Sequence, residues 1–450
     1  MKTYFTTGAE ARKAERALRA LESRASTQSP SVLRTVRAIL SSVRRNGDAA
    51  LRRYAARFDA LPSTTPFRVT PEEMSAAWHS LPAPQKAALR LAISRIRSFA
   101  RRQRPRQFSS TRSGLTTGQI LRPLDAVACY VPSGRHPLPS TLLMTVIPAQ
   151  VAGVPRIAVL CPRPEPIILA AAHSLAVTEF YRIGGAQAIA ALAYGTRSIP
   201  RVDKIIGPGN AFVTAAKQIV ASDPLTRTTI DMAAGPTETL IASTSGNPLF
   251  IAADLVAQAE HDPDALPIFV TTSRALATKV RNHALSLAAN NPTALSSLTR
   301  NGAIFIARNR DELAAIVNRI APEHLTLDVG SDSNSAADLS SIRNAGSIFI
   351  GTETPQPLGD YLSGPNHTLP TLGLARQRGG LSVTDFLKVI TVQHATPAAL
   401  RKLSPAAITL AEAEGLTAHA DALRLRLDNR RLDKKPRLNK NRLSKSKVTP

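Results

Sequence analysis

The chain has 450 residues, 43% of them hydrophobic, and its 57 Lys/Arg against 32 Asp/Glu leave a formal net charge of +25. That length is too great for one compact core, so two or more domains are expected, and no run of about 18 apolar residues is present to span a membrane. The opening residues lack the apolar region of a signal peptide and carry Glu10, Glu15 and Glu22, against an acidic-poor transit peptide; Cys129 and Cys161 form no CxxC pair and no disulfide framework, so the chain reads as cytoplasmic.

The positive charge is unevenly placed. Residues 1–112 hold 23 Lys/Arg against 7 Asp/Glu, residues 430–450 hold 9 against 1, and the stretch between holds 25 against 24. The terminal "RRLDKKPRLNKNRLSKSKVTP" has the composition of a disordered basic tail. Such a tail attracts nucleic acid or anionic lipid by charge alone. With only 4% aromatic residues and no recognised nucleic-acid motif, we read the excess as a solvated face and tail, with nonspecific polyanion binding as the rival.

In chain order, "GAEARKAERALRALESR" reads as an amphipathic helix forming an arm. "SPSVLRTVRAILSSVRRNG" reads as a helix that starts at Ser/Pro and stops at Asn46-Gly47. "TPEEMSAAWHSL" carries a capping box, Thr70 with Glu73, and Pro71 in the first turn. "PAPQKAALRLAISRIRSFARRQ" is a third long helix.

From residue 125 short apolar runs alternate with helical stretches: "AVACYV", "RIAVLC", "EFYRIG", "VDKIIGPG", "TLIAS", "LPIFVTT", "GAIFIA" and "AGSIFIG" read as strands. The alternation predicts an α/β protein with two Rossmann-like parallel α/β domains, incomplete because the GxGxxG fingerprint is missing. An N-terminal helical arm and a C-terminal helical extension complete it; the extension, "TPAALRKLSPAAITLAEAEGLTAHADALRLRL", stands apart from the repeat. "GPGNAF" at 207–212 follows a strand and opens a helix, so it either receives a phosphate or simply turns the chain.

Polar groups cluster in the loops beyond these elements. "QAEHDPD" places Gln258 and His261 at the end of a helix, "APEHL" sets Glu323 beside His324, "LGDYLSGPNHTLPT" offers Asp360 and His367, and "AEAEGLTAHA" offers Glu412, Glu414 and His419. Singly, each has an ordinary reading as a cap, a turn residue or a surface carboxylate. Together, Gln, His and Asp supply the N/O donors that zinc accepts without a thiolate. Spacing alone does not select among them.

The segments "YVPSGRHPLPSTLLMTVIPAQVAGV", "RIGGAQAIAALAYGT", "IIGPGNAFVTAAKQ", "IDMAAGPTETLIA", "DLVAQAEHDPDA", "APEHL", "NAGSIFIG" and "LGDYLSGPNHTLPT" resemble the histidinol dehydrogenase family, collinearly from roughly residue 30 to residue 425. The resemblance implies an NAD-dependent, four-electron oxidation of L-histidinol to L-histidine via L-histidinaldehyde, in the last steps of histidine biosynthesis. It implies a homodimer with one Zn2+ per subunit and sites shared between subunits. By matching motif, Gln258, His261, Asp360 and His419 correspond to zinc ligands, and Glu323 and His324 to the acid/base pair. Thr237, His367 and Glu414 correspond to substrate-holding positions, and the four zinc ligands and His324 also face substrate. Tyr130, Gln187 and Asn210 correspond to cofactor contacts.

The implied division is a helical arm at 1–25, a discontinuous α/β domain at 26–128 and 237–384 bearing most of the metal and catalytic site, and an NAD-binding domain at 129–236. Residues 385–429 form the extension contributing to the partner's site, and 430–450 the tail. Three features depart from the family pattern: Thr237 replaces the usual serine, "PSGRHPLPS" replaces a double-glycine form of its loop, and the basic tail extends past the family's ordinary end. A paralogous dehydrogenase acting on another amino alcohol is the nearest alternative. A zinc hydrolase, with Glu323 activating water, is the rival from another enzyme class. A cysteine thiohemiacetal route is rejected, because neither Cys129 nor Cys161 matches a catalytic position.

Overall fold

The computed structural model describes residues 1–24, 29–133, 137–328 and 339–428. The expected tail at 430–450 and part of the loop "PSGRHPLPS" lie outside the described residues. In chain order the strands are β1 (Lys2–Phe5), β2 (Arg68–Val69), β3 (Phe108–Arg112), β4 (Leu115–Pro123), β5 (Ala126–Tyr130), β6 (Arg156–Leu160), β7 (Glu179–Tyr181) and β8 (Lys204–Ile206). They continue as β9 (Thr229–Ile230), β10 (Glu238–Ser243), β11 (Leu266–Thr271), β12 (Ala303–Ile306), β13 (His324–Asp328), β14 (Ser347–Ile350) and β15 (Leu387–Ala395).

The alternating apolar runs form two parallel sheets, as an α/β fold requires. One has the order β1-β12-β11-β10-β13-β14, and the other β2-β7-β6-β5-β8-β9, where only β2 pairs antiparallel. Each sheet reverses its strand order beside one central strand, β10 or β5, which is the arrangement of doubly wound sheets. Central strands are apolar on both faces because helices cover both. Helices Pro30–Asp59, Gly185–Tyr194 and Ala211–Ser222 bury Leu51, Ile189 and Val213 against one face of the β5 sheet. Helices Pro71–Ser80, Ala83–Gln103, Pro139–Ala152 and Pro166–Ser174 bury Met74, Ile96, Leu142 and Ile168 against the other. Each fully buried aliphatic side chain of this kind contributes about 1.5–3 kcal/mol. Leu255 and Val280 lie in the core on one side of the β10 sheet, Leu18 and Ile316 in that on the other.

The structure departs from the sequence reading at both ends. The arm begins as a strand: β1 adds to the edge of the first sheet, parallel to β12, before helix Ala11–Glu22. Arg319 then reaches back to both Glu15 and Glu22 at 2.8 Å. The stop at Gly47 holds: its φ of 49° and ψ of −130° are non-helical and end the first helical stretch, and a second stretch follows across the kink and runs to Asp59. The capping box forms as read, Thr70 Oγ1 accepting from Glu73 N–H and Glu73 Oε2 from Thr70 N–H.

A second compact unit comprises, among the described residues, Arg106–Arg122 and residues 388–428. It contains the antiparallel pair β3–β4 and most of β15, none of which stood out as strands in the sequence. The expected single extension is two helices, Pro397–Ala413 and Thr417–Asp428, separated at Gly415, whose φ of 74° lies in the left-handed region. No described helix is long and apolar enough to cross a membrane.

Candidate active site

A cavity of about 380 Å³ in the first unit collects the polar loops. From the β5 sheet come Pro132 after β5 and Gly207, Pro208, Gly209 and Asn210 after β8, at the carboxyl ends of two strands flanking the order reversal. From the β10 sheet come groups at the opposite, amino ends: Thr237 before β10, and Glu323 and His324 at the start of β13. A helix between parallel strands runs antiparallel to them, so helix Pro248–Ala259 ends at the amino end of β11. That is why Gln258, in its last turn, and His261, just past it, reach the same cavity.

Asp360, on the short helix Gln356–Tyr361, and His367 complete the wall. A smaller cavity of about 120 Å³ shares His324, Asp360 and His367.

Long-range bonds orient these side chains. The Glu238 N–H donates to Glu323 Oε2 at 2.9 Å, and His324 Nδ1 lies 3.3 Å from the Glu238 carbonyl. A carbonyl only accepts, so Nδ1 carries a proton, and whenever the ring is neutral Nε2 is its basic atom. That Nε2 is buried without a hydrogen-bond partner among the described residues and lies 3.7 Å from Asp360 Oδ1. Glu238 is itself buried, held by Arg24 at 2.6 Å and by the Leu372 N–H.

Gln356 bridges the two central strands, accepting from Thr239 Oγ1 at 2.8 Å and donating to Thr326 Oγ1 at 2.9 Å. It thereby pins the helix that carries Asp360. Gly346 admits the Glu323 backbone: a Cβ there would stand 2.5 Å from the Glu323 carbonyl oxygen.

Burial pulls the His324 imidazole down, but the neighbouring Glu323 and Asp360 carboxylates outweigh it and lift the group to about 10. Asp360 is held below its usual value, its burial being more than offset by His324. His367 is pushed down by burial despite Asp360. Its Nε2 is a second buried nitrogen without a partner among the described residues. Burial pushes both Cys129 and Cys161 up to about 12, so neither offers a thiolate at neutral pH, in keeping with the rejected thiol route.

The expected cofactor residues divide. Asn210 lines the cavity, and its Oδ1 caps the helix by accepting from Phe212 and Val213 N–H. Tyr130 and Gln187 are buried, the Tyr130 hydroxyl accepting from Gly185 N–H and the Gln187 amide donating to Asp59. Glu414 and His419 belong to the second unit, where both side chains are exposed. Among the described residues no three His, Cys, Asp or Glu gather closely enough to hold a metal. The first unit brings Gln258, His261 and Asp360 to one wall, with Gln258 Nε2 3.5 Å from Asp360 Oδ2. These are amide, imidazole and carboxylate donors of the kind zinc accepts.

Sequence reasoning missed Glu238, Gln356, Arg24 and Asp59, none of which carries a local signal. It also missed Asp254, one turn before Gln258, whose carboxyl burial raises from the usual 3.8 to about 6 although it accepts from the Gln356 N–H. The folded carboxyl therefore binds its proton more tightly than the unfolded one. The resulting penalty is full above about pH 6 and disappears below the unfolded value. Asp254→Asn is expected to stabilise the protein by about 1–2 kcal/mol at pH 7.5 and hardly at all near pH 4. Urea midpoints at the two pH values would show this, and an equal gain at both would rule the charge out as its cause.

Comparison with known proteins places this geometry. Residues 22–427 match the family profile described as histidinol dehydrogenase. The histidinol dehydrogenase of Methanothermobacter thermautotrophicus is 45% identical over 406 residues, covering 88% of this chain and 93% of its own. That of Rhizobium meliloti is 44% identical over 403 residues, covering 87% and 91%. The crystal structure of histidinol dehydrogenase from Elizabethkingia anophelis superposes with a TM-score of 0.88 at 34% identity, covering 96% of this chain and 99% of that one. Profile, relatives and fold agree across nearly the whole length, and the chain belongs to the histidinol dehydrogenase family.

Proposed function

We propose that the protein oxidises L-histidinol to L-histidine through L-histidinaldehyde, a four-electron reaction of histidine biosynthesis that reduces two NAD. The observation that carries this reading is the orientation of His324: with Nδ1–H directed at the Glu238 carbonyl, Nε2 faces a cavity that also holds Glu323, Asp360 and His367. Family membership supplies the substrate class.

Gln258, His261 and Asp360, with His419 of the partner subunit, would hold one zinc, whose chemistry is to bind and orient substrate nitrogen donors. His324 Nε2, once the ring is neutral, takes the hydroxyl proton as hydride leaves for the nicotinamide; zinc on Asp360 would offset one of the two carboxylates that hold the ring charged. The aldehyde must then be hydrated, since the second hydride departs from a tetrahedral carbon. Glu323, with one oxygen held by the Glu238 N–H, offers the other to the attacking water. Asn210 and the loop before it would receive the dinucleotide. The methyl of Thr237 narrows the substrate end of the cavity relative to serine.

A homodimer is part of the proposal. On the second unit Val389, Val392, Leu410 and Leu425 are exposed, Leu425 by 69%, an apolar surface of the sort a partner subunit covers. The decisive measurement is the yield of NADH per L-histidinol consumed by purified zinc-loaded protein, with histidine assayed alongside. Two NADH and one histidine are expected. One NADH with released aldehyde would sink the four-electron reading, and no turnover of histidinol would favour a different amino alcohol.

A further inference from the structure

The loop that borders the cavity is gripped from beneath by a buried ion pair. Lys217, on helix Ala211–Ser222, has a side chain 2% exposed, and that of Asp231 is 0% exposed. Lys217 Nζ donates to Asp231 Oδ1 at 2.5 Å and to the Gly207 carbonyl at 2.8 Å, while Asp231 Oδ2 accepts from the Gly207 N–H at 2.8 Å. Both backbone polar groups of one residue are thus held by the two ends of a single ion pair. Arg378 Nη1 in turn donates to the Asp231 carbonyl at 2.6 Å.

Gly207 itself has φ +111°, and a Cβ there would stand 2.2 Å from the Tyr130 carbonyl oxygen. The loop is therefore pressed onto the end of β5 in a conformation only glycine adopts readily. Desolvating two ions is costly, and well-packed apolar residues commonly serve a core as well or better. What this pair secures is the loop, because its remaining hydrogen bonds go to Gly207.

We propose that Lys217 and Asp231 are positioning residues that clamp loop 207–210 in its dinucleotide-receiving conformation and so set the affinity for NAD. The proposal rests on the NAD-dependent reading above. In full-length protein, Lys217→Met/Asp231→Asn removes both charges while leaving an acceptor for the Gly207 N–H. It is expected to raise the KM for NAD at least tenfold while the Kd for L-histidinol stays within twofold. A purely structural pair would give a folded double variant whose NAD KM matches the parent's, and that result would overturn the clamp.

If the double variant does not fold, hydrogen exchange on the parent decides. The Gly207 amide should be protected before NAD is added, to the degree of the β8 amides, and rapid exchange there would overturn the proposal. A parent protein that oxidises histidinol without reducing NAD would refute the cofactor reading instead.

Discussion

His324→Asn is expected to cut histidinol oxidation by about 10²–10⁴ while leaving histidinol binding within a few fold, because the substitution removes the basic nitrogen but keeps a donor near the Glu238 carbonyl. The size follows from what positioned proton transfer contributes, and the direction from geometry. Nδ1 is committed to the carbonyl at 3.3 Å, so Nε2 is the only ring atom left to accept a proton. Glu323→Gln is expected to behave differently. It keeps an oxygen to accept from the Glu238 N–H, now 2.9 Å away, yet loses the basicity needed to activate water. The first hydride transfer should survive and the second should fall, so that aldehyde accumulates and a carbonyl trap captures it. Single-turnover NADH formation from histidinol and from histidinaldehyde separates the two variants. Equal losses on both substrates in both variants would contradict the division of labour.

His261→Asn should be nearly as damaging, through the metal. Gln258 and His261 share the end of helix Pro248–Ala259, where the negative end of the helix dipole favours a bound cation. Losing the imidazole should weaken zinc at least 100-fold, about 3 kcal/mol, and lower the metal content of dialysed protein well below one per subunit. Histidinol binding should fall in parallel, while a chelator should reproduce both effects in the parent. Full zinc content in dialysed His261→Asn protein would remove His261 from the ligand set. Asp360 makes a less clean test, since its carboxylate also contributes to the raised pKa of His324.

Much of this was legible in the chain itself. Strand and helix periodicities are local, so "AVACYV" and "RIAVLC" declared buried parallel strands, and Thr70 with Glu73 declared a helix start. The unusual motifs around Gln258, Glu323 and Asp360 indicated a family because they are long and collinear. Local pattern also located the helix stop at Gly47, where the backbone leaves the helical region before a second helical stretch runs to Asp59. The polar run "FSSTR" offered no apolar alternation, so its pairing with β4 stayed hidden.

What the sequence by itself determined, then, is the α/β class and most of its strand–helix order, since these depend on neighbours within a few residues; that its polar loops meet at one cavity needed the fold. Only the tertiary structure decided that β1 joins β12, that Glu238 sits between Arg24 and Glu323, that Gln356 pins Asp360 and that Lys217 and Asp231 grip Gly207. Most of these contacts join residues distant in the chain. A lone buried Glu, Gln or Lys in a strand or helix carries no local pattern, and its role exists only once folding has removed water and left one partner within reach.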